Sequence, residues 1–218
     1  MGEIEILHEE RKIVIHSDFI FYGNHASPDH CAIITDEISE MWNSTDAKVL
    51  IQGNPYKVYF QISGTVRQDI TRAEIEHSTS LRNNYIRIEE FSKLEVSFVD
   101  RILSNTGYFI LHNMEKDSTT SAHEYGHMLG LEHPSILDIR GKGRPSIMYP
   151  RGTLVDSEFQ WNPTAPAGAP GGTMNPYHRT VSILDILDIR IPSIILSGKK
   201  YIGAHTNTFH EAFIPKPL

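Results

Sequence analysis

One stretch constrains this chain more than any other: residues 119–134, which read TTSAHEYGHMLGLEHP and contain a complete HExxHxxGxxH pattern at His123, Glu124, His127, Gly130 and His133. Four residues are about one helical turn, so His123 and His127 share a helix face and both imidazoles reach one metal ion. Glu124 projects about 100° further round. Its carboxylate then lies beside the open metal position, where it takes a proton from water without being a ligand. Gly130 lets the chain leave the helix with a positive φ, and the turn returns His133 as a third nitrogen ligand. Three protein nitrogens with a fourth position left open are the catalytic arrangement for zinc, since structural sites are closed by four protein ligands. With the His, Glu and Gly content of this chain, the five-residue pattern would arise by chance about 0.0002 times.

The rest of the composition removes alternatives. At 218 residues the chain is long enough for a real core in one domain or two lobes. Net charge is −7 with both signs scattered, so no basic stripe suits nucleic acid or an anionic membrane. Cys31 is the single cysteine; it forms no intramolecular disulfide and reads as a small core side chain. The N-terminus, MGEIEILHEERKIVI, lacks the basic-then-apolar design of a secretory signal. No apolar run approaches the roughly 20 residues of a membrane span. The expected setting is secreted or extracellular, with any export signal or pro-segment outside this sequence, and the expected state is a monomer acting on a peptide or protein substrate.

Periodicity supplies the elements. Residues 12–17 alternate and read as a strand; residues 29–42 carry helical spacing with Ser27 or Asp29 as cap. Residues 47–52 and 56–63 flank a Gly53-Asn54-Pro55 turn signal, and residues 84–89, 94–99 and 108–112 are further strands. Asp117, Ser118 or Thr119 is available to cap the metal helix. Residues 151–178 are rich in Gly, Pro and Ala, a long loop of functional length, and residues 180–189 form a helix ending before Pro192. Residues 194–218 hold one or two strands at most. The fold class is α+β: a mixed twisted sheet of about five strands with a helix and the zinc helix, then an irregular part with a C-terminal helix. The whole is a single catalytic domain, with an upper lobe of residues 1–133 and a lower lobe of 134–218. His16, Asp18, His25, Asp29 and His30 lack fixed spacing and read as solvated loop residues in preference to a second metal site. His112 is placed to face the cleft.

With the three-histidine helix followed by Ser146-Ile147-Met148-Tyr149-Pro150, the chain resembles the metzincin clan of zinc peptidases, and the Met-Tyr-Pro form looks most like the matrixin branch. The match is close over residues 122–150. The resemblance implies a Zn2+ ion held by His123, His127 and His133, Glu124 as general base, and Met148 as the methionine of a Met-turn beneath the metal. Tyr149 and Pro150 would help wall the pocket for the residue after the scissile bond. With Leu129 and Leu131 nearby, that pocket is expected to prefer a medium or large apolar residue. Three departures stand out. Fifteen positions separate His133 from Met148, so residues 137–144 are expected to bulge near the site. Pro150 occupies the place of the tyrosine that astacin-like and serralysin-like relatives carry, leaving Tyr177 as the substitute. The surroundings of Cys31, Pro28-Asp29-His30-Cys31, lack a cysteine-switch motif. Residues 160–176 look similar to metallopeptidase domains at the ends of large bacterial secreted toxins.

The function implied is a zinc-dependent endopeptidase, its substrate lying along an edge strand at residues 94–99 or 108–112. Two alternatives stand beside it: an effector peptidase with one narrow protein target, and a binding module whose zinc site is covered by the loop of residues 151–178.

Overall fold

The computed structural model describes residues 1–115 and 118–214. Its architecture follows from one strand. β2 (Lys12–Tyr22) runs eleven residues, with Ile13, Ile15, Ser17, Phe19 and Phe21 all buried on one face, the period of two that a pleated strand requires. On one side it pairs in parallel with β4 (Asn54–Val66) along its length. On the other, β1 (Gly2–Leu7) pairs antiparallel with its first half and β5 (Asn83–Glu89) parallel with its second half. The sheet path continues to β7 (Thr106–Ile110) and ends at the short antiparallel strand β6 (Phe98–Val99); at the far end β3 (Lys48–Ile51) forms a hairpin with β4. The result is an open mixed sheet with six strands on its main path. β1 and β8 (Tyr201–Ile202) add to it off that path.

This is the α+β class that the sequence implies, with more strands than the five it suggests. β2 extends five residues beyond the alternating segment because the polar pair Ser17-Asp18 interrupts the apolar signal without interrupting the pleat. Asn54 and Pro55 belong to β4, leaving Gln52-Gly53 as the tip, both at positive φ. β8 and the segment after it return from the C-terminal part to the sheet: Ala204 bridges Ser104, and Asn105 Oδ1 accepts from the Thr206 and Asn207 amides.

Two helices cover the core face. α1 (Pro28–Asn43) is capped by Ser27, whose hydroxyl accepts from the His30 amide, and it buries Cys31, Ile34, Ile38 and Trp42. α3 (Thr120–Met128) lies against it, buried at every residue but His127. Tyr125 of α3 ties the layers together: its ring sits among Phe19, Trp42 and Phe60, and its hydroxyl is 2.8 Å from Ser17 Oγ. Trp42 Nε1 donates to the Ala122 carbonyl. α2 (Arg72–Glu76) buries Ile75 with Tyr22 and Tyr85 in a separate cluster. The C-terminal helical region is two short helices, α4 (Ile183–Asp188), closed by a Ser182/Asp185 capping box, and α5 (Ile191–Leu196), with Pro192 in its first turn. Proline begins the second helix, a position where its missing N–H costs nothing. Among the described residues no helix is long and apolar enough to cross a membrane.

Candidate metal centre

The end of α3 is built by glycine. Gly130 has φ +100°, and its amide donates to the His127 carbonyl while the Leu131 amide reaches back to Gly126. This pair of bonds is the Schellman motif. The turn does more than stop the helix, because the Leu131 carbonyl it presents accepts from His127 Nδ1 at 2.7 Å. On the other ligand, His123 Nδ1 donates to the Ile147 carbonyl, also at 2.7 Å. Each carbonyl holds the proton on Nδ1 and leaves the Nε2 lone pair free, the outer support that metal-ligating histidines require. Those lone pairs converge. His123 Nε2 and His127 Nε2 lie 3.0 and 3.1 Å from His133 Nε2. Tetrahedral coordination at ordinary zinc–nitrogen lengths sets ligand nitrogens about 3.3 Å apart. The three histidines therefore can hold a metal ion. They are the group that does so among the described residues; His16, His25 and His30 instead meet Glu5, Glu89 and Ser27.

The electrostatics suit a ligand set that must be neutral. Burial, then the Arg179 charge and the neighbouring imidazoles, holds His123 well below the ordinary histidine range. His127 and His133 are lowered too, each first by burial. Glu124 lines the same cavity of about 200 Å³. Burial raises its carboxyl to about 8, opposed by the Val99 amide on β6 and by Arg179.

Met148 is buried against α3 at Gly126, where a Cβ would collide with its sulfur and crowd Trp42. The other pocket expectations divide. Pro150 lines the cavity, but the Tyr149 ring packs with Ile139, Val155 and Met174 away from it, and only its backbone carbonyl faces Arg179. Leu129 and Leu131 are buried and absent from the lining. Residues 137–144 do not line it either: Ile139 pairs with Leu154 and fills that same small cluster. Of residues 151–178, Arg151 alone lines the cavity, because the segment folds on itself through Trp161–Thr173 and Asn162–Gly171 bonds. Tyr177 does not line it; its hydroxyl is 3.3 Å from Glu115. His112 does. Of the two edge candidates, the segment at 98–99 is the edge and β7 is interior.

Two important residues carry no motif. Arg179 is buried in the cavity wall, its Nε donating to Thr119 Oγ1 and its Nη1 to the Tyr149 carbonyl. Glu37, from α1, caps α3: Thr119 occupies the N-cap with φ 60° and no side-chain cap, and the Glu37 carboxylate accepts the Thr119, Ser121 and Ala122 amides. Of the cap candidates, Asp117 lies outside the described residues, and Ser118 Oγ makes a 3.4 Å bond to the Thr120 amide. Both residues reach the site from distant sequence, where periodicity gives no signal.

No protein-family model matches the chain, and no curated protein does. A solved structure described as "Structure of a chaperone-substrate complex" is similar at 12% identity and a TM-score of 0.43, over 88% of this chain. The chain spans 37% of the length of that one.

Proposed function

We propose that this chain is a zinc-dependent endopeptidase of the matrixin-like metzincin kind. The observation that carries the reading is the convergence of three histidine nitrogens, two of them oriented by backbone carbonyls, beside a cavity that Glu124 lines with His123 and His133 next to an edge strand. A zinc ion held by His123, His127 and His133 would supply Lewis acidity there, the property that activates a water and polarises a carbonyl. Glu124 accepts the proton of the attacking water and delivers it to the leaving amine. An extended peptide adds to β6 by backbone hydrogen bonds, which sets its scissile bond across the histidines. The position of Met148 under Gly126 supports the Met-turn assignment. The lidded alternative loses support, since His133 is exposed and the loop's far end bonds to itself.

Two variants test this. Glu124→Ala should keep one zinc per chain and lose roughly 10²–10⁴-fold or more in turnover, because it removes a general base and no ligand. His127→Ala should lose metal as well as activity. Metal analysis with hydrolysis of a quenched peptide library reads both. Cleavage by Glu124→Ala at the wild-type rate, or a wild type that takes up no zinc, refutes the assignment.

A further inference from the structure

We propose that the cavity beside the three histidines recognises a carboxylate, so that the residue next to the scissile bond is acidic. Its position relative to the bond rests on the peptidase reading; the carboxylate site itself does not. Two guanidiniums line this cavity, Arg151 and Arg179, and neither has an ion-pair partner among the described residues. Arg179 is only 4% exposed. Its Nε and Nη1 are held by Thr119 and Tyr149, which fixes the plane of the group and leaves Nη2 without a hydrogen bond among the described residues. Among the described residues Arg151 makes one long contact, 3.5 Å to Asn113 Oδ1, at the weak end of hydrogen bonding.

A second observation points the same way. Thr120 Oγ1, in the same cavity wall, is buried with no hydrogen-bond partner among the described residues. A buried donor left unpaired is costly, and so is a buried cation without an anion in direct contact. A carboxylate resolves both deficits at once: it accepts at two oxygens, matches the planar fork of a guanidinium, and takes a hydroxyl proton besides. An apolar side chain in this place would strip water from the same donors and return nothing. The cavity also contains the carboxylates Glu95 and Glu124. Glu95 is exposed, and Glu124 accepts from the Val99 amide. Glu124 and Glu37 act on the Arg179 charge through space, but among the described residues neither bonds to it directly, which leaves Nη2 open to a ligand carboxylate.

The carboxylate has two possible sources, an Asp or Glu side chain or the free end of a peptide, and calorimetry separates them. The inactivated Glu124→Gln protein is titrated with an end-blocked hexapeptide carrying Asp at its centre, with its Asn counterpart, and with the Asn peptide bearing a free C-terminus. Charge-assisted bonds of this kind predict about 10- to 100-fold tighter binding of the Asp peptide than of the blocked Asn peptide. Gain by the free-acid peptide alone assigns the site to a terminal carboxylate. Arg151→Gln, a change at an exposed residue, should reduce the preference, and Arg179→Met should abolish it. In parallel, wild-type cleavage of a proteome-derived peptide pool should be led by Asp or Glu beside the cut. Equal binding of all three peptides, or a cleavage profile led by large apolar residues, overturns the proposal. Carboxylate-selective binding by a protein that holds zinc and cleaves nothing would sink the peptidase reading and leave this one standing.

Discussion

Glu37 is the side chain whose removal best tests how the site is held. The first amides of a helix have no intrahelical partners, and in α3 they are buried, so water cannot serve them. Glu37 Oε2 accepts the Thr119 amide at 3.0 Å, and Oε1 accepts those of Ser121 and Ala122 at 3.1 and 3.3 Å as well as the Ser121 hydroxyl. Glu37→Ala leaves these donors without acceptors. At about 1–3 kcal/mol for each buried donor left unpaired, the gross loss would exceed 4 kcal/mol. Part of it is offset because burial of the Glu37 carboxyl is itself unfavourable, as its raised pKa records. A net loss of about 3 kcal/mol is expected. Glu37→Gln keeps one acceptor oxygen but turns an NH₂ toward the remaining donors, so about half that loss is expected. Urea denaturation at constant m-value measures both. Because Ala122 directly precedes His123 and Glu124, zinc affinity by chelator competition should fall in the same order. If Glu37→Ala unfolded at the wild-type urea concentration and bound zinc as tightly, the capping argument would be wrong.

Gly126→Ala should destabilise by about 1–3 kcal/mol through overpacking against Met148; adding Met148→Ala should recover part of this, and strict additivity in a double-mutant cycle would refute the contact. Replacing residues 162–171 by a short Gly-Ser turn should leave the cleavage profile unaltered, since that tip bonds only to its own flanks; an altered profile would bring it back to the cleft. Asp100 tests acid stability. Burial pushes its pKa up, but bonds from His210 and Thr106 outweigh that and leave it below 3.8. A depressed carboxylate contributes stability above its unfolded pKa and loses it as pH falls through the folded value. The stability gap between wild type and Asp100→Asn should therefore be present at pH 7 and close below about pH 3.8; a gap independent of pH would contradict the assignment.

The parts legible in the sequence are those whose geometry is local. Ligand spacing on a helix, the glycine that ends it, the Ser27 cap and the hairpin around Gly53 all lie within a few residues of one another. Even β1 was readable in principle, since Glu3-Ile4-Glu5-Ile6 alternates. The helix does end before Pro192, as the sequence implies, but α5 beginning at Ile191 is not legible there, because proline stops one helix and starts another equally well. The pocket lining was beyond reach for a different reason. Whether Tyr149 faces the cavity or the Ile139 cluster depends on where residues 153–155 and 174 fold, and Arg179 enters the wall from 56 positions after His123. Family spacing names the wall; tertiary packing decides which atoms of it face inward.

The same contrast explains why the metal ligands and the cavity should differ in rigidity. His123 and His127 are fixed at both ends of their rings by the helix backbone and by the carbonyls of Ile147 and Leu131. Those carbonyls are fixed in turn by the Met148–Gly126 contact and the Gly130 turn, which belong to the core through Trp42 and through Leu129 and Leu131. The placing of the histidines is thus tied to core packing through these contacts. Arg151, also in the cavity lining, has one weak hydrogen bond among the described residues and is exposed. On the proposed readings, histidines held by the core and a loosely held, exposed Arg151 divide the work, so changes at Arg151 should act on selection and changes around α3 on turnover.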